Sequence, residues 1–289
     1  MECNSLEITP LDGSFGATVR GVRIASLAVA EWEQINDAWI EFGLLIFPGQ
    51  HLTRIGQNTF AATFGDLEFT ATALTNIDDD GTVLSDPDTD ENKSLRGNEG
   101  WHHDSTYMPL QAKAAVFTAE IVPSTGGATG WADMRAAYAA LDDETRASLD
   151  GLTAEHSRYY SMQRAGLMTK PGADGKYFGY GFHEKETPIR PLVKEHPDTG
   201  RPNLVIGQHA SGVIGMDHDA STELLDRLND AATSGPWVHH HQWEVGDAVL
   251  WDNRRLMHRA TPYDLAEPRS MWHTRIAGDR PADLALNYR

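Results

Sequence analysis

Residues 248–258 read AVLWDNRRLMH. The apolar run Ala248 to Trp251 is too short for a helix and reads as a buried strand. The charged residues after it form a loop that delivers His258. Strands of the same kind dominate the second half of the chain. They are Ala114 to Ile121, Thr129 to Ala132, Leu152 to His156, Ile189 to His196, Leu204 to Gly207, Val238 to Glu244, Ala248 to Asn253 and Arg269 to Ile276. Turn chemistry such as Pro123-Ser124-Thr125-Gly126-Gly127 and Gly246-Asp247 bounds most of them. Two helices interrupt this series, Asp133 to Leu149 and Ala220 to Ala232.

Toward the N-terminus, short strands lie within Leu6 to Val22. Trp32, Ile35, Trp39 and Phe42 follow at helical spacing, and Gly43 ends that helix. Leu44 to Phe47 is a further strand, and Thr53 caps a helix that runs to Gly65. Residues Asn76 to Asn98 are polar and acidic and read as a solvated surface loop. The whole is mainly β with flanking helices, a β-sandwich or jelly roll forming a single domain over residues 1–289.

The chain has 289 residues, 24 Lys+Arg against 42 Asp+Glu, and a formal net charge of −18. Such a surface repels phosphate, so neither nucleic acid nor an anionic membrane is expected as the main partner. The single cysteine, Cys3, fits a reducing cytoplasm. The opening residues show no basic stretch followed by an apolar run, so no secretory leader is expected. No run approaches ~20 apolar residues, so no membrane span is expected.

The strongest constellation is Trp101-His102-His103-Asp104. In extended chain, residues two apart share a face, so His102 and Asp104 can converge on one ion while His103 points away. Taken alone, the pair could equally be a polar strand end. His258, downstream of the Trp251 strand, supplies a matching second imidazole. Two imidazoles and a carboxylate leave three coordination positions open, which suits Fe(II) and O2, although zinc accepts the same ligand types. His239-His240-His241 alternate faces and read as structural. Arg269 opens a strand in which 269, 271, 273 and 275 share a face. A bound carboxylate or a salt bridge would account for an inward arginine there.

Taken together, Trp101-His102-His103-Asp104, Gly127-Ala128-Thr129, Trp251-Asp252-Asn253-Arg254 with His258, and Arg269 resemble the taurine and 2,4-dichlorophenoxyacetate dioxygenase family. Within it the similarity is to the aryloxyalkanoate branch acting on (S)-phenoxypropionates, carried by WHHDSTYMP at 101–109, DMRAAYAAL at 133–141, RPLVKEHPDTGR at 190–201 and MWHTRIAGD at 271–279. The resemblance implies a double-stranded β-helix core and dependence on Fe(II), 2-oxoglutarate and O2. It makes His102, Asp104 and His258 the iron ligands, with Thr129 and Arg269 holding 2-oxoglutarate and Trp251 lining that pocket.

The family's second arginine, four residues after the oxoglutarate arginine, is replaced here by His273, and Gln208 stands where a basic residue is expected. Arg275, His209, Tyr107 and His273 are therefore the candidates for binding substrate. By strand geometry Arg275 lies about 20 Å from Arg269 along the strand, so the two should serve different anions. A small anionic organic substrate and a homo-oligomeric enzyme are expected. The competing readings are a sulfonate or alkyl sulfate ester dioxygenase of the same family, a metal hydrolase, and a non-catalytic ligand-binding jelly roll.

Overall fold

The computed structural model describes residues 6–289, and Cys3 lies outside them. Strand Ala248–Asp252 is central to a seven-stranded sheet, as its apolar text requires. It pairs antiparallel with Leu44–Phe47 on one side and Ala112–Ile121 on the other. The sheet continues through Ala17–Arg20 to Glu7–Pro10 at one edge, and through Ser270–Ala277 to Leu67–Thr75 at the other.

Both faces of this sheet are covered, which is why its central strands read as continuous apolar runs rather than alternating ones. Leu45, Phe47, Ala248 and Leu250 face the helices Val29–Phe42 and Arg54–Ala62, meeting Ile35, Trp39 and Phe60. Leu44, Ile46, Val249 and Trp251 face the opposite way, into a layer holding Phe117, Trp131, Trp243 and Met271. Trp131 belongs to a three-stranded sheet in which Thr129–Asp133 runs between Val238–His241 and Leu256–Ala260. Trp251 is fully buried between these layers, 5.0 Å from Phe117 and 5.9 Å from Trp131 by ring centroid. An aromatic side chain buried this way stabilises the fold by roughly 1.5–3 kcal/mol. Ala210–Val213, Thr153–His156 and Ile189–Pro191 form a further sheet, and Pro202–Leu204 pairs with Val193–Glu195. Among the described residues, no helix is long and apolar enough to cross a membrane.

Helix boundaries follow local chemistry. Gly43, at φ +74°, ends the first helix in the left-handed conformation that glycine adopts without penalty. Thr53 accepts from the Gly56 amide and starts the second.

Several expectations are corrected. His258 is on a strand rather than in a loop, and that strand pairs with Thr129–Asp133. The charged residues before it are buried by long-range pairs: Asp252 with His196, Arg254 with Asp198, and Arg255 with Asp133. The acidic stretch 76–98 contains a helix, Asp90–Arg96, capped by Thr89 and acidic in its first turn. The expected helix 133–149 divides into Met134–Ala140 and Asp143–Ser148, because Leu141 is extended and Asp142 caps a new start. The expected strand 189–196 divides into Ile189–Pro191 and Val193–Glu195.

Candidate metal and cosubstrate site

His102 and His258 are a cross-strand pair. The amide of each donates to the carbonyl of the other, at 3.0 and 2.8 Å, bringing their rings to 4.2 Å between centroids. Asp104 joins them at the start of a turn clamped by Asn253. The Asp104 amide donates to Asn253 Oδ1 (2.7 Å), while Asn253 Nδ2 donates to the Asp104 and Ala112 carbonyls. Ser105 completes the turn at φ +56°, a left-handed value that a non-glycine residue adopts at a cost of about 1–2 kcal/mol. His103 points away, as expected, toward the Asn253 carbonyl.

The three ligand atoms lie within 4.8 Å of one another, and each Nε2 is 3.9 Å from an Asp104 oxygen. The His102 Nδ1 meets the Gly100 carbonyl at 2.7 Å, which leaves Nε2 aimed at the cluster. Burial lowers the His102 pKa to about 4 and depresses His258 well below the usual range, so both rings are neutral and ready to coordinate. Burial alone would raise Asp104, but the Arg275 guanidinium holds it well below the usual carboxylate range. Asp104 Oδ2 is buried with no hydrogen-bond partner among the described residues, His273 Nε2 standing 3.4 Å away. An anionic oxygen without a partner, flanked by two neutral imidazoles, is a donor set that fits a divalent metal.

The cluster opens on a cavity of about 560 Å³. At its other end, among the described residues, Arg269 has a buried Nε with no partner, and its Nη2 donates only to the Gly127 carbonyl, at 3.2 Å. A Cβ at Gly127 would stand 3.2 Å from Arg269 Nε and 2.9 Å from the Pro123 ring, so glycine keeps this end open. Thr129 lines the same end and accepts from Trp243 Nε1 (2.9 Å). Tyr263 lies beneath the guanidinium, 5.6 Å from it.

Of the remaining candidates, Tyr107, His273 and Arg275 line this cavity; Trp251 and His209 do not. Trp251 stands behind the wall, stacked on His273 at 5.8 Å. His209 is buried behind Tyr107, its Nδ1 2.9 Å from Ser161 Oγ. Arg275, expected at a substrate anion, donates to Asp104 Oδ1 (2.6 Å) and Ser105 Oγ (2.9 Å). Both Arg269 and Arg275 reach one chamber, bulges in the strand's pairing notwithstanding.

The residues overlooked in the sequence are Arg158 and much of the apolar wall: Phe69, Leu95, Phe178, Tyr180 and Tyr263. The alternation Leu67, Phe69, Ala71, Ala73 could have revealed the strand that carries Phe69.

The family model for the taurine catabolism dioxygenase TauD, TfdA family matches residues 7–276. The chain belongs to that family. It is a dioxygenase by this membership and has a mainly β fold with flanking helices. It is 53% identical to the (S)-phenoxypropionate/alpha-ketoglutarate-dioxygenase of Sphingobium herbicidovorans, over 98% of each chain. It is 34% identical to the alpha-ketoglutarate-dependent 2,4-dichlorophenoxyacetate dioxygenase of Cupriavidus pinatubonensis, covering 92% of this chain and 96% of the relative. Among solved structures, AAD-2 in complex with Mn(II) and N-oxalylglycine superposes with a TM-score of 0.86 at 33% identity, covering 96% of this chain and 98% of that one.

Proposed function

We propose that this chain is an Fe(II)- and 2-oxoglutarate-dependent dioxygenase that oxygenates an aryloxyalkanoate acid, releasing succinate and CO2. The observation that carries the reading is the union, in one chamber, of a two-histidine, one-carboxylate cluster with Arg269, a buried guanidinium that no carboxylate neutralises. We also take the two facing sheets as a double-stranded β-helix, and residues 1–289 as one domain.

His102, Asp104 and His258 would hold the metal, and Arg269 with Thr129 the distal carboxylate of 2-oxoglutarate. When bound, iron supplies the O2 chemistry coupled to decarboxylation of 2-oxoglutarate. The chain's own residues set the conditions. Neutral imidazoles need lose no proton to coordinate. Arg275 keeps Asp104 ionised and fixes its orientation. Phe69, Leu74 and Phe117, with the partly exposed Tyr180 beside them, form an apolar wall that receives an aromatic ring. Hydroxylation at the carbon bearing the ether oxygen yields a hemiacetal-type product, which collapses to a phenol and a keto acid.

Support for this substrate comes from relatives named for (S)-phenoxypropionate and 2,4-dichlorophenoxyacetate, at 53%, 49% and 34% identity. Others, at 30% and 31%, are named alkylsulfatase and sulfate ester dioxygenase. The test is succinate release across a panel of aryloxy acids, sulfonates and sulfate esters. Release is expected with aryloxyalkanoates and only when Fe(II) and 2-oxoglutarate are both present. Turnover confined to sulfate esters would overturn the substrate class, and release independent of 2-oxoglutarate would overturn the reaction.

A further inference from the structure

Four arginines line the cavity, and their charges are used differently. Arg96 is only half-buried and reaches out to the Pro87 carbonyl. Arg275 is paired with Asp104, and Arg269 faces the 2-oxoglutarate end. Arg158 remains. It is 6% exposed, its Nε has no partner, and among the described residues no acceptor takes a hydrogen bond from its guanidinium. A buried cation left without an anion is expensive unless a ligand supplies one.

We propose that Arg158 binds the anionic head of the organic substrate, the carboxylate of an aryloxyalkanoate; this rests on the function proposed above. Location is the first argument. Arg158 packs 5.9 Å from the Tyr107 ring, which lies 4.7 Å from His209, itself 5.5 Å from the His102 ring. Arg269 is placed instead against the Tyr263 ring and the Gly127 carbonyl, so the two unpaired guanidinium groups serve different ends of the chamber.

Rigidity is the second argument. The Ser157 amide donates to the His209 carbonyl (2.8 Å), and Ser161 Oγ donates to the Arg158 carbonyl (3.0 Å) while also meeting His209 Nδ1. The backbone that carries the guanidinium is thus held from both sides, which lowers the ordering cost of binding.

Charge balance is the third. A divalent metal, dianionic 2-oxoglutarate, Asp104, Glu99, neighbouring Glu68, Arg96, Arg269 and Arg275 together sum to zero charge. Arg158 then adds the one positive charge that a monoanionic acid requires, in a planar fork matched to a carboxylate.

The test compares Arg158→Gln and Arg158→Lys with the wild-type holoenzyme, on a 2-aryloxypropionate and on its neutral carboxamide. Arg158→Gln is expected to raise KM for the acid about tenfold or more and leave KM for 2-oxoglutarate within about twofold. Its preference for acid over carboxamide should collapse, and equilibrium binding of the acid without O2 should weaken in parallel. Arg158→Lys should recover part of the loss. A folded Arg158→Gln enzyme that keeps the wild-type KM and the acid preference would overturn the assignment. If that variant fails to fold, Arg158→Lys decides: it loses the fork, so an unchanged KM for the acid would equally overturn the assignment. If the wild type turns over no aryloxy acid, the proposed function fails, and this assignment with it.

Discussion

Arg269 immediately precedes strand Ser270–Ala277 and Arg275 lies within it; both are buried and line one cavity, yet they are electrostatic opposites. Burial opposes the charge of each. At Arg275 the opposition is overcome by Asp104 first, then Tyr107 and Glu68, and the pKa rises above its ordinary value. At Arg269 only Tyr263 counters burial, and the pKa falls. Arg275 is thus already neutralised inside the fold, whereas Arg269 is kept for an anion that arrives from outside. A buried guanidinium beside the chemistry is therefore not by itself a ligand site. The acid it already faces decides.

The largest effect is expected where the paired end is broken at its anion. Asp104→Ala removes a metal ligand and leaves Arg275 with the more distant Glu68, at 3.9 Å, in place of its close partner. It should abolish succinate formation and Fe(II) binding. Metal-free stability should fall by about 3–5 kcal/mol, the cost of breaking a buried pair, read from denaturant unfolding. Full activity with iron still bound would remove Asp104 from the cluster.

The sharpest contrast is between Arg275→Gln and Arg269→Gln. The first leaves the Asp104 carboxylate buried without its cation, so the metal-free protein should lose about 3–5 kcal/mol, part of which added metal restores. The second leaves no acid unpaired, so stability should stay within about 1 kcal/mol of wild type. Its KM for 2-oxoglutarate should rise about tenfold or more, the loss of a charge-assisted interaction of roughly 1.5–3 kcal/mol. Equal destabilisation by both variants would erase the distinction between them.

What the sequence disclosed follows the same division. His102 and Asp104 were legible because extended chain alternates, and His258 because an apolar strand leads toward it. Pairing partners were not legible. The strand carrying His258 looked like a loop because Asp252, Arg254 and Arg255 are charged, and their acids and imidazoles lie far away in sequence. Arg275 looked free for the same reason, since strand spacing says nothing about Asp104. The helix Asp90–Arg96 was hidden by its acidity, although Thr89 before Asp90 and Glu91 is a capping signal. Arg158 also left a trace. It follows the Ser157 cap in the first turn of its helix, where the dipole disfavours a cation, so something other than helix formation must account for it.

The smallest effect tests how far the paired end extends. Ser105 Oγ accepts from Arg275 and donates to Glu68, and Glu68 also accepts from the Tyr180 hydroxyl. Tyr180 is 43% exposed, so water replaces that bond in a Tyr180→Phe variant, and the ring keeps its edge contact with Phe69 at 5.5 Å. A hydrogen bond in such a setting is worth about 0.5–1.5 kcal/mol, and exposure places the expected loss at the low end. Stability should change by less than about 1 kcal/mol, KM for 2-oxoglutarate should not move, and kcat/KM for an aryloxy acid should fall by less than about fivefold. A loss as large as that of Arg275→Gln would mean that Tyr180 and Glu68 carry the pairing and Asp104 does not. The contrast between the two arginines would then have to be drawn at Glu68.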